Sequence, residues 1–328
     1  MSKLKTTYLG LQLKNPIIVG SSGLTNSVAK IKKLQAAGAG AIVLKSLFEE
    51  QILHETNHQV HSSEGLDHPE ALEYIQNYNE KHSVNEYLEL IKSAKKETNI
   101  PIIASINCFS ANQWLDFAKQ IEAAGADALE LNVYIVNTDK NSVAEEYEEI
   151  YYKIAKMVSE SISIPVSMKL SPHFSNLVQV GDKLSVMGAK GVVLFNRFYE
   201  PDVDINKLTL VSSEILSSPA DIRNSLRWVA IVSDKVQSID VASSTGVHDG
   251  EAVIKQLLVG AQAVQTCSAI YKKGPAAIAE MVQKLSSWMD DKGYSSIEDF
   301  RGSMSYSEMK NPALYERAQF MKYFSDWE

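Results

Sequence analysis

AAGAGAIVLK (36–45), AAGADALELN (123–132), VMGAKGVVLFN (186–196) and LVGAQAVQTC (258–267) repeat one pattern along the chain. Each has an apolar helix end, then Gly-Ala, one further residue and a hydrophobic run. A helix closes readily at glycine, where left-handed backbone is cheap. The near-continuous apolar run that follows is typical of a parallel strand covered on both faces. Between these copies lie NPIIVGSS (15–22), IPIIASIN (100–107), IPVSMKL (164–170) and SIDVASS (238–244), which also read as strands. Helical spacing connects them: Val28, Ile31 and Leu34 share a face, as do Leu177, Val180, Leu184 and Met187.

Eight strands alternating with helices predict an α/β fold, a (β/α)8 TIM barrel; an open doubly wound sheet is the competing arrangement. A plain barrel needs about 250 residues, and this chain has 328. The surplus falls in an insertion after strand two (about 47–99), in enlarged links after strands four and six, and in a C-terminal helical tail (about 276–328). The enlarged links leave the C-terminal ends of strands, where barrel enzymes build their sites. No Gly/Ser or Pro linker divides the chain, so residues 1–328 are expected to form one domain.

Composition narrows the function. Apolar residues make up 45% and charged residues 22%, which is ordinary for a globular protein and excludes disorder. Forty acids against 32 bases leave a net charge of −8 with no basic stripe, so nucleic acid and anionic membrane are poor partners. Cys108 and Cys267 are the only cysteines, which suits a reducing compartment and leaves no set for an iron–sulfur cluster. The opening MSKLKTTYLG lacks an apolar core and a cleavage site, and a cytoplasmic protein is expected.

The strand ends supply the chemistry. They present Gly20, Ser21, Ser22 and Gly23; Lys45 and Ser46; Ser105 and Asn107; Asn132; Lys169; Asn196 and Arg197; Ser243, Ser244, Thr245 and Gly246; and Thr266, Cys267 and Ser268. Lysines and asparagines ending buried strands are expensive unless satisfied. Pointed at one mouth, they suit an anion or a heteroaromatic ring with carbonyl edges. The bland alternative is that Lys45 and Lys169 pair with a carboxylate such as Glu130, or reach water. ASSTGVHDGEAV (242–253) is a small-residue turn opening a helix, and with TCSA (266–269) it marks the usual phosphate corner of a barrel. HETNH (54–58), with His61 nearby, matches a zinc-protease pattern, but it lies in a polar link without an amphipathic helix, and no metal is expected.

NPIIVGSSG, GAGAIVLKS, GADALELN, VSMKLSPHF, STGVHDGEAV and QTCSAIYKKG, in this order, resemble the dihydroorotate dehydrogenase family, specifically its soluble class 1 branch. The resemblance runs nearly end to end, and DKGYSSIEDFRG (291–302) is similar to the family's closing segment. It implies a barrel carrying FMN at its mouth. It also implies a cytoplasmic homodimer and oxidation of dihydroorotate to orotate, a step of pyrimidine biosynthesis. A base takes the C5 proton while hydride passes to the flavin. By position, Lys45, Asn132 and Lys169 would carry catalysis. Ser21, Ser22, Gly23, Ser46, Asn107, Thr245, Gly246, Cys267 and Ser268 would hold the cofactor. His68, Asn137, Asn196 and Arg197 would bind the substrate.

Several positions depart from the family pattern. The family has a Cys or Ser base after the strand-four asparagine, whereas LELNVYIVN puts Ile135 there. Isoleucine cannot accept a proton, and general-base catalysis is worth about 10²–10⁴-fold. The departure points to an altered, small, anionic CH–CH substrate. The Gly-rich phosphate turn is SSTG and the strand-eight turn is CSA, which narrows the backbone freedom there. Two other readings stand beside the oxidoreductase: a lyase or aldolase using Lys169 as a Schiff base, and a non-catalytic FMN-binding barrel.

Overall fold

The computed structural model describes residues 2–48, 69–107 and 111–317. Strands β3 (Ile17–Val19), β4 (Ala41–Val43), β6 (Ile102–Asn107), β7 (Ala128–Asn132), β8 (Val166–Leu170), β9 (Gly191–Leu194), β12 (Asp240–Ser243) and β13 (Ala263–Thr266) are parallel neighbours in that order. β13 pairs back onto β3, so the sheet closes into the expected barrel rather than an open sheet. β5 (Leu47–Phe48) adds a short extra pairing on β6.

Helices α1 (Val28–Ala36), α2 (Pro69–Glu97), α3 (Ala111–Ala123), α4 (Ala144–Ser159), α5 (Leu177–Val186), α6 (Ile222–Lys235) and α7 (Gly250–Leu258) follow the strands. Short α8 (Ser268–Lys273), α9 (Ala276–Lys292) and α10 (Ala313–Glu316) complete the described helices. The four repeat glycines, Gly38, Gly125, Gly188 and Gly260, all have φ between +93° and +112°. The recurring Gly-Ala therefore ends a helix in left-handed backbone and feeds the next strand. Side-chain caps fix two helix starts: Asn176 accepts from Gln179 N, and Asp249 from Ala252 N.

Two apolar layers result. The larger lies between barrel and helices and includes Ile42, Ile102, Leu129, Met168, Val192 and Val264. The smaller fills the barrel floor with Ile18, Ala41, Val43, Ile103, Ala128, Val193, Ala242 and Ala263. An N-terminal hairpin, β1 (Thr6–Tyr8) and β2 (Leu11–Leu13), packs Tyr8, Leu9 and Leu13 into that floor. Its turn puts Leu9 and Gly10 at φ 55° and 75°, the geometry a two-residue hairpin favours. The link after β9 forms a second, exposed ribbon, β10 (Pro201–Asp204) and β11 (Thr209–Ser212).

Candidate active site

Because the barrel strands are parallel, their C-terminal ends share one rim, and Lys45, Asn132 and Lys169 all fall there. Asn132 and Lys169 are register partners across β7 and β8. At this rim opens a cavity of about 480 Å³, within the ~300–1,000 Å³ common for ligand pockets. Ser21, Ser22, Lys169, Asn196, Arg197, Thr245, Gly246, Cys267 and Ser268 all line it. A cavity of about 410 Å³ near Gly10, Lys190 and Asp240 lies at the floor end instead, away from the strand ends that carry the polar set.

Lys169 is buried and donates to Gln265 Oε1 at 2.8 Å, while Glu130 Oε1 stands 3.7 Å from its ammonium. The carboxylate pairing weighed for the lysines therefore holds for Lys169, which reaches the cavity as well. Lys45 is half-exposed and makes no ion pair or hydrogen bond among the described residues. Asn132 stands behind the cavity wall, its Oδ1 accepting from Asn196 Nδ2 at 2.6 Å. Ser46 links Ser21 to Ser105 by hydroxyl contacts of 3.0 and 2.6 Å. Asn107 ends β6 half-exposed, and Gly23 opens a short 3-10 turn; neither lines the cavity.

The turn after β12 runs through left-handed backbone. Thr245 and Gly246 take φ 74° and 81° in succession. A β-branched residue is strained there, at about 1–3 kcal/mol. The Thr245 hydroxyl donates to Phe195 O at 3.1 Å, which anchors the turn. Gly246 N points at Ser217 Oγ, 3.4 Å away, and Ser217 N donates to Ser268 Oγ. Ser217 Oγ also meets His248 Nε2 at 3.0 Å; burial, then Lys272 and Lys273, push that imidazole below its ordinary pKa. Burial pushes the Cys267 thiol up while Lys169 pulls it down.

Arg197 is already engaged. Its guanidinium donates to Glu214 O and Ile215 O and stands 3.6 Å from Asp221, so it ties down the wall segment bearing Ile215, Leu216 and Ser217. Asn137 is exposed in a turn with Asp139 and Ser142, outside the cavity wall. His68 and the HETNH stretch lie outside the described residues. Among the described residues no group of three His, Cys, Asp or Glu side chains is placed to hold a metal.

Ile135 packs against the outer core rather than lining the cavity. Tyr134 stacks on Phe198, ring centroids 3.6 Å apart. The hydroxyls of Tyr147 and Tyr151 lie 2.9 Å from one another, and burial pushes both pKa values up, so neither is a base near neutral pH. Sequence reasoning missed the wall residues Gln265, Ser217 and Tyr271. Gln265 was legible from period two, being two residues before Cys267. Ser217 precedes the Ser218–Asp221 capping box, which marks a helix start at the rim.

A family model described as dihydroorotate dehydrogenase matches residues 3–289. The catalytic subunit of dihydroorotate dehydrogenase B (NAD(+)) of Thermoplasma volcanium is 27% identical over 313 residues, covering 92% of this chain and 98% of its own length. The same-named subunit of Bacillus thuringiensis is 28% identical over 316 residues, covering 92% and 97%. That of Methanothermobacter thermautotrophicus is 25% identical over 316 residues, covering 91% and 97%. With a family match over most of its length and a closed barrel with its polar set at one rim, the chain belongs to the dihydroorotate dehydrogenase family, flavoprotein oxidoreductases acting on CH–CH groups.

Proposed function

We propose that residues 1–328, as one barrel domain with an insertion at about 47–99 and a tail at about 276–328, bind FMN in the rim cavity. There the chain oxidises a small anionic CH–CH substrate. The observation that carries this is Lys169, a buried ammonium that lines the same rim cavity as Thr245, Gly246, Cys267 and Ser268. The donor set fits the cofactor: a positive charge for an electron-rich ring edge, hydroxyls from Ser21 and Ser22, and a left-handed turn suited to a phosphate. When bound, FMN supplies a two-electron hydride acceptor.

The chain's own residues do the rest. Lys169 stabilises negative charge at the ring edge. Asn196, held by Asn132 behind it, presents its amide edge to the substrate; Lys45, with no hydrogen bond or ion pair among the described residues, stands at the same rim to meet its negative charge. Ile135 offers no proton acceptor, and the neighbouring tyrosines hold their protons. Dihydroorotate is therefore a slow substrate, and the favoured one loses its proton without that base.

We further read the chain as a cytoplasmic homodimer. Among the described residues, no helix is long and apolar enough to cross a membrane. Val203, Ile205, Leu208 and Leu210 are exposed on the β10–β11 ribbon, an apolar patch of the kind that can meet another chain. With two cysteines, any iron–sulfur exit for the electrons needs a partner chain, in keeping with relatives named catalytic subunits. The test is the absorption spectrum of the purified protein, before and after anaerobic mixing with dihydroorotate. Flavin bands with slow bleaching are expected. A colourless protein that takes up no FMN defeats the cofactor assignment, and bleaching at an ordinary enzymatic rate defeats the altered-substrate reading.

A further inference from the structure

The interior of the barrel above its apolar floor holds an acid, an amide and a base in a row. Glu130 on β7, Gln265 on β13 and Lys169 on β8 are all buried. Gln265 Nε2 donates to Glu130 Oε2 at 2.6 Å, and Gln265 Oε1 accepts from Lys169 Nζ at 2.8 Å. A carboxylate only accepts and an ammonium only donates. The amide between them therefore has one orientation, since turning it would set oxygen against oxygen. Glu130 Oε1 accepts no hydrogen bond among the described residues and faces Lys169 Nζ at 3.7 Å. On that atom, charge is the compensation.

Stability alone gives no reason for such a row. Replacing a buried ion pair by well-packed apolar residues is often neutral or stabilising, and the floor of this same barrel is filled by Ala, Val and Ile. The row does have an end that opens on function, because Lys169 and Gln265 both line the rim cavity while Glu130 stands behind them. We propose that Glu130, acting through Gln265, is a positioning residue that fixes Lys169 at the cavity and sets how much positive charge the cavity feels. The inference rests on the FMN reading. Lys169 draws negative charge onto the ring, and the carboxylate behind it weakens that pull. In a site shielded from water the two charges are felt strongly.

Sulfite tests this without a substrate. It adds to an oxidised flavin ring as an anion, and its affinity tracks the positive charge around the ring. In FMN-loaded protein, Glu130→Gln is expected to lower the sulfite Kd about tenfold, because Lys169 then acts unopposed. In a Lys169→Met background the same change is expected to alter the Kd less than about twofold, since an unpaired buried carboxylate takes up a proton. An unchanged or weaker sulfite affinity in Glu130→Gln overturns the proposal. So does equal tightening in the Lys169→Met background, which would mean that Glu130 acts on the ring directly. Glu130→Met removes the same charge if the glutamine variant fails to fold, with flavin retention and thermal melting as controls. A wild-type protein that holds no flavin defeats the cofactor reading instead, so the two failures are told apart.

Discussion

Ile135 stands where the family resemblance implies a proton acceptor, and its surroundings hold it there. Its side chain packs on the outer core. A cysteine at this position restores a group with an ordinary pKa of about 8.5 that can accept a proton. Ile135→Cys is expected to raise the rate of flavin bleaching by dihydroorotate about 10²-fold, the low end for a general base. Anaerobic stopped-flow absorbance reads this. An unchanged rate would show that the pocket differs from the family's beyond one residue. Lys169, Asn196, Thr245 and Cys267 were legible in the sequence because each ends an apolar run at a position that must face the mouth. Arg197 was harder: its residue type suits a carboxylate ligand, yet the fold uses it to hold Glu214 and Ile215 in place. That choice depends on how a long link folds back, and no local spacing encodes it.

At the scale of elements, the eight barrel strands were readable because parallel strands buried on both faces give continuous apolar runs. The N-terminal hairpin was not, since TTYLGLQL (6–13) is short and its packing partners are Ala and Val from distant strands. Helix α2 begins at Pro69, well before the stretch near 86–97 that helical spacing picks out, because its earlier turns are largely polar. Tight element packing also yields a prediction at Gly40, where the chain enters β4. A Cβ there would stand 2.2 Å from the backbone oxygen of Asn15, and Gly40 N donates to Ile17 O at 2.7 Å. Backbone cannot rotate aside as a side chain can. Gly40→Ala is expected to cost about 1–3 kcal/mol, read as a lower urea midpoint with unchanged slope. A midpoint equal to wild type would show that β3 and β4 are not so closely tied.

The whole molecule is closed at its floor by a charge as well as by apolar packing. Asp240, at the start of β12, accepts from Leu9 N at 2.6 Å and so holds the N-terminal hairpin under the barrel. Burial raises the pKa of this carboxyl, and the Leu9 N–H and Arg301 only partly offset that. The folded state therefore holds this proton more tightly than the unfolded chain does. Its contribution to stability is full below the ordinary carboxylate range, near pH 4, and falls as pH rises through the raised value. At neutral pH the folded protein carries a half-buried charge that the unfolded chain exposes to water. Asp240→Asn keeps an oxygen for Leu9 N and cannot ionise. It is expected to melt at a higher temperature than wild type at pH 7, with the gap closing as pH is lowered to about 4. Thermal melts of both proteins across that range measure it. A gap that stays constant with pH would show that Asp240 bears on stability through its hydrogen bond and not through its charge.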